Sequence, residues 1–382
     1  MNRWFILFIL FFARTVMAFQ FQSVAALSPL MVDSLALTLV DIGLLIGLYL
    51  GPGIIVAVIG GTVAAVLGDR RTVFLSLLLM LIGAAMVAQA TSLNGLLAGR
   101  VVSGIGGVVV NVVMTKMVID WFAKHDIATA MAIFIASWPM GIALALVVLP
   151  WLAGIGGLKA AWFGVTVATS IALVAFILFY RTPEGAEPTG KLKFVNVPWG
   201  ALALAALVWA LYNTALAMVF GFGTIILADK GLPPAQAGSA TSLFMFAIVV
   251  SAPLGGWLVD RFALRDAFIT TSLVAGLILL PALVYLPVTL ALVAFAFAGF
   301  VVGLAAGAIA SLPSDILSPE TRAFGMGIFF AIYYLLMMVA PPLAGALAER
   351  LQTVDITLII GAVMMLLALL AFGAFRRTSR SI

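Results

Sequence analysis

Long apolar runs, each closed by a few charges or a Gly/Pro break, decide what solvent this chain folds in. Twelve of them are long enough to cross ~30 Å of hydrocarbon at ~1.5 Å per residue. They cover residues 4–27, 39–67, 72–89, 96–122, 127–152, 159–180, 198–228, 235–259, 267–286, 288–312, 323–348 and 356–375. In a bilayer every backbone N–H and C=O must be satisfied inside the protein, so runs of this length predict helices. The expected fold is an all-α integral membrane protein of twelve transmembrane helices. Charged residues make up only 9% of the chain, against roughly 25% in soluble domains. The net charge of +5 sits at loops and chain ends, so a lipid bilayer is the expected partner and nucleic acid is not.

The chain also repeats itself. Gly60-Gly61 and the charged end Asp69-Arg70 echo Gly255-Gly256 and Asp260-Arg261, and the glycines stand 195 positions apart. The same offset lays residues 127–134 on 322–329 and Asp120 on Asp315. Several matches at one offset mean a duplicated unit. A polar segment rich in Pro, Gly and charge, 181–197, separates the copies as a solvated linker. The expected organisation is an N-terminal six-helix bundle, 1–180, the linker, and a C-terminal six-helix bundle with a short basic tail, 198–382.

Cations set the topology. With both termini cytoplasmic, that side receives Arg3, Arg70, Arg71, Lys124, Arg181, Lys191, Lys193, Arg261, Arg265, Arg322, Arg376, Arg377 and Arg380, and the far side only Lys159, Lys230 and Arg350. Ser23-Val24-Ala25-Ala26 loosely resembles a signal-peptidase site. Cleavage there would leave eleven spans and reverse the bias, so the first segment is kept as a span.

Gly256-Trp257-Leu258-Val259-Asp260-Arg261, after the second span of its half, resembles the cytoplasmic Gly-x-x-x-Asp-Arg motif of the major facilitator superfamily. The following glycine is replaced by Ala263, and the first-half copy has Ala65 and Val66 at the acidic and basic positions. Leu96, Arg100, Ser103, Gly104 and Gly106 look like the family's fourth-span motif. The resemblance implies two pseudo-symmetric six-helix bundles, transport by alternating access, and no cofactor. The texture is similar to the cyanate and nitrate/nitrite transporter branches.

Charges at span ends on the side given to the termini form a candidate gate: Arg70, Arg71, Asp120, Asp260, Arg261, Arg265, Asp315 and Arg322. Asp120 is expected to face Arg70 and Arg71, and Asp315 to face Arg261 and Arg265. Solvated interface charges, worth ~0–1 kcal/mol each, are one reading. The preferred one is a latch that closes this face in one state and breaks in the other.

Three charges lie within spans: Arg14, Arg100 and Lys116. Lys116 stands four residues before Asp120, so an i,i+4 pair accounts for it. Arg14 is ~15 Å into its helix, and Arg100 about one turn inside the far end. No Asp or Glu lies deep in any span to neutralise them. A cation at the bilayer centre costs ~2.5–3.5 kcal/mol on insertion scales. Either these arginines spend their donors on helix carbonyls, or they face a water-filled cavity and present positive potential to an anion. Gln20, Gln22, Asn111, Trp138, Pro139, Tyr212, Asn213, Tyr333 and Tyr334 are the other candidate cavity residues.

The expected activity is secondary transport or facilitated passage of a small anionic solute by rocking of the two halves. The alternative is a proton-coupled exporter of hydrophobic compounds. Against it, no titratable carboxylate or histidine is visible at depth, His125 being in a loop. An intramembrane enzyme would need a nucleophile–base pair or a metal cluster, and with no cysteine and one histidine the ingredients are missing. A monomer in the cell's inner membrane is expected.

Overall fold

The computed structural model describes residues 2–57, 67–122, 127–182, 197–262, 264–317 and 322–379. Among these residues the regular elements are all helices. In chain order they are α1 (Arg3–Leu35), α2 (Leu39–Leu50), α3 (Asp69–Gln89), α4 (Leu93–Phe122), α5 (Ile127–Phe179), α6 (Trp199–Asp229), α7 (Pro234–Phe262), α8 (Arg265–Tyr285), α9 (Ala291–Gly303), α10 (Ala306–Ala310), α11 (Arg322–Leu351) and α12 (Ile356–Ser379). Eleven helices among the described residues are long and apolar enough to cross a membrane. One of these, α5, is broken by non-helical torsions at Gly156 and Gly157, where φ of +69° at Gly157 suits a residue without Cβ. That break falls between the two runs read as separate spans, so α5 supplies both crossings. The fold is the twelve-span, two-bundle architecture.

Two spans depart from their expected bounds. The first helix continues to Leu35 instead of ending near residue 27, with Ser28 bonding back to the Ala25 carbonyl ahead of Pro29. Residues Ser23 to Ala26 therefore lie inside a continuous buried helix. The tenth span, read as one run over 288–312, is split into a 3-10 turn, α9, α10 and a second 3-10 turn at Leu312–Asp315. Glycines on both sides hold it against α7: a Cβ on Gly299 would strike the Phe244 carbonyl, and a Cβ on Gly255 of α7 would strike that of Leu304.

Large apolar side chains such as Phe163, Ile155 and Val293 are exposed on the outside of the bundle. In lipid this is the favoured arrangement, because helices associate by close packing rather than by removing apolar surface from water.

Contacts between the halves run along α2 with α11, α5 with α7, and α1 with α6. Two of these seams share one device. Proline lacks the N–H that would bond the carbonyl four residues earlier, so Pro342 frees the Met338 carbonyl and Pro150 frees that of Leu146. Gly47 seats its Cα on the first, and Gly238 on the second. A side chain at either glycine would collide with the freed oxygen. Cα–H···O contacts of this kind are individually weak, but they permit the backbones to meet.

Candidate functional site

Arg14 reaches from α1 into the space between α4 and the first part of α5. Its Nε donates to Asn111 Oδ1 at 3.0 Å. Its Nη1 donates to the Phe134 carbonyl at 2.8 Å, the Ile135 carbonyl at 3.2 Å and Ser137 Oγ at 3.1 Å. Pro139 explains the second: it removes the helical donor of Ile135 and leaves that carbonyl for the arginine. The guanidinium carbon also lies 4.7 Å from the Phe134 ring centroid. All these partners are neutral. Arg14 forms no ion pair among the described residues, its Nη2 makes no hydrogen bond among them, and the side chain is half-buried.

Asn111 passes the contact on to the other half. Its Nδ2 donates to the Tyr334 hydroxyl on α11 at 3.1 Å. Arg14, Asn111 and Tyr334 thus form one hydrogen-bonded line across the interface. Beyond Tyr334 lies an aromatic group from α6 and α11. Tyr333 is 5.0 Å from Tyr334, Phe330 is 6.3 Å from Tyr334, and Trp209 is 6.2 Å from Tyr333, centroid to centroid. On the N-terminal side Trp138 stacks on Phe21 at 5.1 Å. Trp138, Trp209 and Phe330 are each partly exposed.

Arg100 does not share this space, contrary to expectation. It is 1% exposed. Its Nε, Nη1 and Nη2 donate to the carbonyls of Leu45, Gln20 and Phe21 at 2.8, 2.9 and 2.8 Å, with its guanidinium over the Tyr49 ring. It ties α4 to α1 and α2, and with every nitrogen bonded and the side chain buried it is closed to a solute. Gln20 is likewise buried inside its own half, donating to the Met80 carbonyl and Ser103 Oγ. Tyr212 is buried and donates to the Val302 carbonyl at 3.1 Å. Asn213 bonds back to the Trp209 carbonyl and is partly exposed. The reason is common to the four: a polar group in an apolar helix is stable wherever it finds a partner, and a carbonyl serves as well as a solute.

The charges at the terminal ends pair partly as expected, in Lys116–Asp120 and Arg265–Asp315, and partly otherwise. Asp120 faces Lys116, which bridges it to Asp69 at 2.8 and 2.7 Å, and not Arg70 or Arg71. Arg70 donates to the Ile177 carbonyl, and Arg71 is exposed. Asp315 does meet Arg265, at 2.7 Å, and also Arg376 at 3.1 Å, which in turn pairs with Asp266. Arg261 is exposed over the Trp257 ring instead of meeting Asp315. Among the described residues each of these pairs lies within one half. The side chains of Asp260 and Arg322, and the motif copy at 60–66, lie outside the described residues. Asp69, Ser137, Trp209 and Arg376 were not singled out from sequence as site residues.

At the opposite face the halves do hold each other. Glu349 on α11 accepts from the Val40 backbone N–H at 2.9 Å, at the N-terminal end of α2. Gln22 donates to the Phe220 carbonyl from α1 to α6. Gly43 approaches Pro341 and Pro342 closely. Asn111–Tyr334 lies nearer the terminal face than any of these contacts.

A family model described as the Major Facilitator Superfamily matches residues 4–228 and 199–381. A curated relative, an Acurin A biosynthesis cluster MFS-type transporter of Aspergillus aculeatus, is 23% identical over 239 residues. That match covers 54% of this chain and only 42% of the relative's length. Among solved structures, a bacterial homologue of the human lysosomal transporter Spinster, in an inward-facing and occupied conformation, superposes with a TM-score of 0.78. It is 17% identical, with 98% of this chain and 97% of that one covered. The nucleoside transporter NupG gives 0.74 at 16% identity, covering 98% and 99%. At such identities the likeness speaks for the fold. The chain belongs to the Major Facilitator Superfamily of membrane transporters.

Proposed function

We propose that this protein carries a small anion across the membrane by alternating access, with Arg14 as the anion-binding group. The observation that carries the reading is a half-buried guanidinium whose partners are all neutral and whose third nitrogen makes no hydrogen bond among the described residues. A cation at depth with no acid beside it is costly, and a bound anion offsets that cost. The bundles 1–180 and 198–382 rock about Asn111–Tyr334, with the seams of the opposite face closed while the terminal side admits the solute. The termini are cytoplasmic, the working unit is a monomer, and the membrane is the inner one. Placement in the cyanate or nitrate/nitrite branch rests on sequence texture. The relatives named above include a nucleoside transporter and a Spinster homologue, so the anionic reading stands on Arg14.

The test is thermal stabilisation of purified protein by small anions, a neutral nucleoside and a hydrophobic cation, in wild type and Arg14→Gln. Stabilisation by anions in wild type only, with the variant still melting cooperatively, supports the reading. Equal stabilisation of both proteins by any solute removes Arg14 from the site. Stabilisation by the hydrophobic cation alone favours the exporter alternative.

A further inference from the structure

We propose that the solute is a flat, ring-bearing monocarboxylate; this rests on the anion reading above and narrows it. Three observations converge on that class.

The first is charge. Of the cations within spans, Arg100 has spent its nitrogens on three carbonyls and Lys116 is held by two carboxylates. Arg14 alone has charge to share with a solute. A dianion would leave a net negative charge in a region of low dielectric, which is costly. One charge on the protein selects one charge on the solute.

The second is the supply of donors. Nε and Nη1 of Arg14 are occupied, so the guanidinium offers one amino group and not the two-pronged edge that would hold both oxygens of a carboxylate or phosphate. A second oxygen needs a neutral donor. The indole N–H of Trp209 is buried with no partner among the described residues. The Tyr333 hydroxyl makes no hydrogen bond among the described residues, and the two rings are 6.2 Å apart. A buried N–H without an acceptor is a standing cost, which a carboxylate oxygen removes once the side chains covering that N–H move aside to admit it.

The third is the walls. Phe134 lies under the guanidinium, Trp138 stands one residue from Ser137 on the same helix, and Tyr334, Tyr333, Phe330 and Trp209 follow from the other half. Stacked or edge-on rings attract a flat ring beyond the area they bury. A compact hydrophilic anion gains nothing from them.

The experiment is calorimetric titration of the purified full chain, in alkaline buffer, with benzoate, acetate, cyclohexanecarboxylate, benzyl alcohol and phenylphosphonate. Benzoate should bind about tenfold tighter than acetate, and tighter than both cyclohexanecarboxylate and phenylphosphonate. Trp209→Leu should weaken benzoate by more than acetate, because benzoate loses both the N–H and the ring while acetate loses only the N–H; Tyr333→Phe, which removes a hydroxyl and keeps the ring, should weaken the two acids alike. Equal affinity for acetate and benzoate, both lost in Arg14→Gln, overturns the ring and keeps the anion. Tighter binding of phenylphosphonate overturns the single charge. Benzyl alcohol binding as well as benzoate, indifferent to Arg14→Gln, overturns both proposals, as does an absence of binding by all five.

Discussion

Removing the Glu349 carboxylate should open the face opposite the termini. Glu349 is the one side chain seen to reach from α11 onto the N-terminal end of α2 among the described residues, accepting from Val40 at 2.9 Å. First-turn N–H groups have no intrahelical acceptor, and a carboxylate there also meets the positive end of the helix dipole. A hydrogen bond to a charged group contributes ~1.5–3 kcal/mol when well buried. Glu349 is only partly buried, so we take ~1.4 kcal/mol, a factor of about ten in the closed-to-open ratio. The sequence holds no cysteine, which makes the assay clean. Ile46→Cys places a single thiol at a position 2% exposed, on the part of α2 that packs against Gly221 of α6. A membrane-impermeant maleimide added at that face then reads the open fraction as a labelling rate. Glu349→Ala should raise the rate about tenfold without lowering the melting temperature by more than a few degrees. An unchanged rate in a well-folded variant would mean that the clamp contributes nothing to closure.

Arg100→Leu should lower the melting temperature by several degrees and reduce the yield of folded protein, because α4 loses three charged hydrogen bonds to α1 and α2 at ~1.5–3 kcal/mol each before relaxation; normal stability with lost solute binding would return Arg100 to the site. Gly47→Val should hold the opposite face open, since its Cβ meets the Met338 carbonyl, so that Ile46→Cys labels freely and net transport stops; intact transport would show that the seam is looser than its geometry implies.

The spans were legible because hydropathy at this length has one physical solution, and the repeat because its matches share one offset. The roles of individual polar residues were harder to read. Arg14 and Arg100 look alike in sequence, each a lone cation in an apolar run. What separates them is which carbonyls lie within reach, and that depends on how three helices cross. Arg100 finds three on α1 and α2 and is consumed. Arg14 finds a carbonyl that Pro139 has freed, and there the sequence did carry a signal, since a proline in a buried helix always orphans the oxygen four residues back. Asp120 went to Lys116 and not to Arg70 because the i,i+4 pair costs no long-range ordering, while Asp69, on the neighbouring helix, could be placed beside them only by the fold. Trp209 reads as packing in the sequence, as any aromatic residue in a hydrophobic span does, until its N–H is seen without a partner among the described residues.

In the proposed mechanism the charge of Arg14, and not its shape or its place in the packing, receives the solute. Uptake of a labelled small anion into proteoliposomes, compared among wild type, Arg14→Lys and Arg14→Gln at matched amounts of folded protein, tests it directly. Partial uptake is expected with lysine and none with glutamine, since lysine keeps the charge and loses the hydrogen bonds to Asn111, Phe134, Ile135 and Ser137 that hold the guanidinium in place. Uptake by the glutamine variant equal to wild type would contradict it and leave the cargo to be sought elsewhere in the bundle.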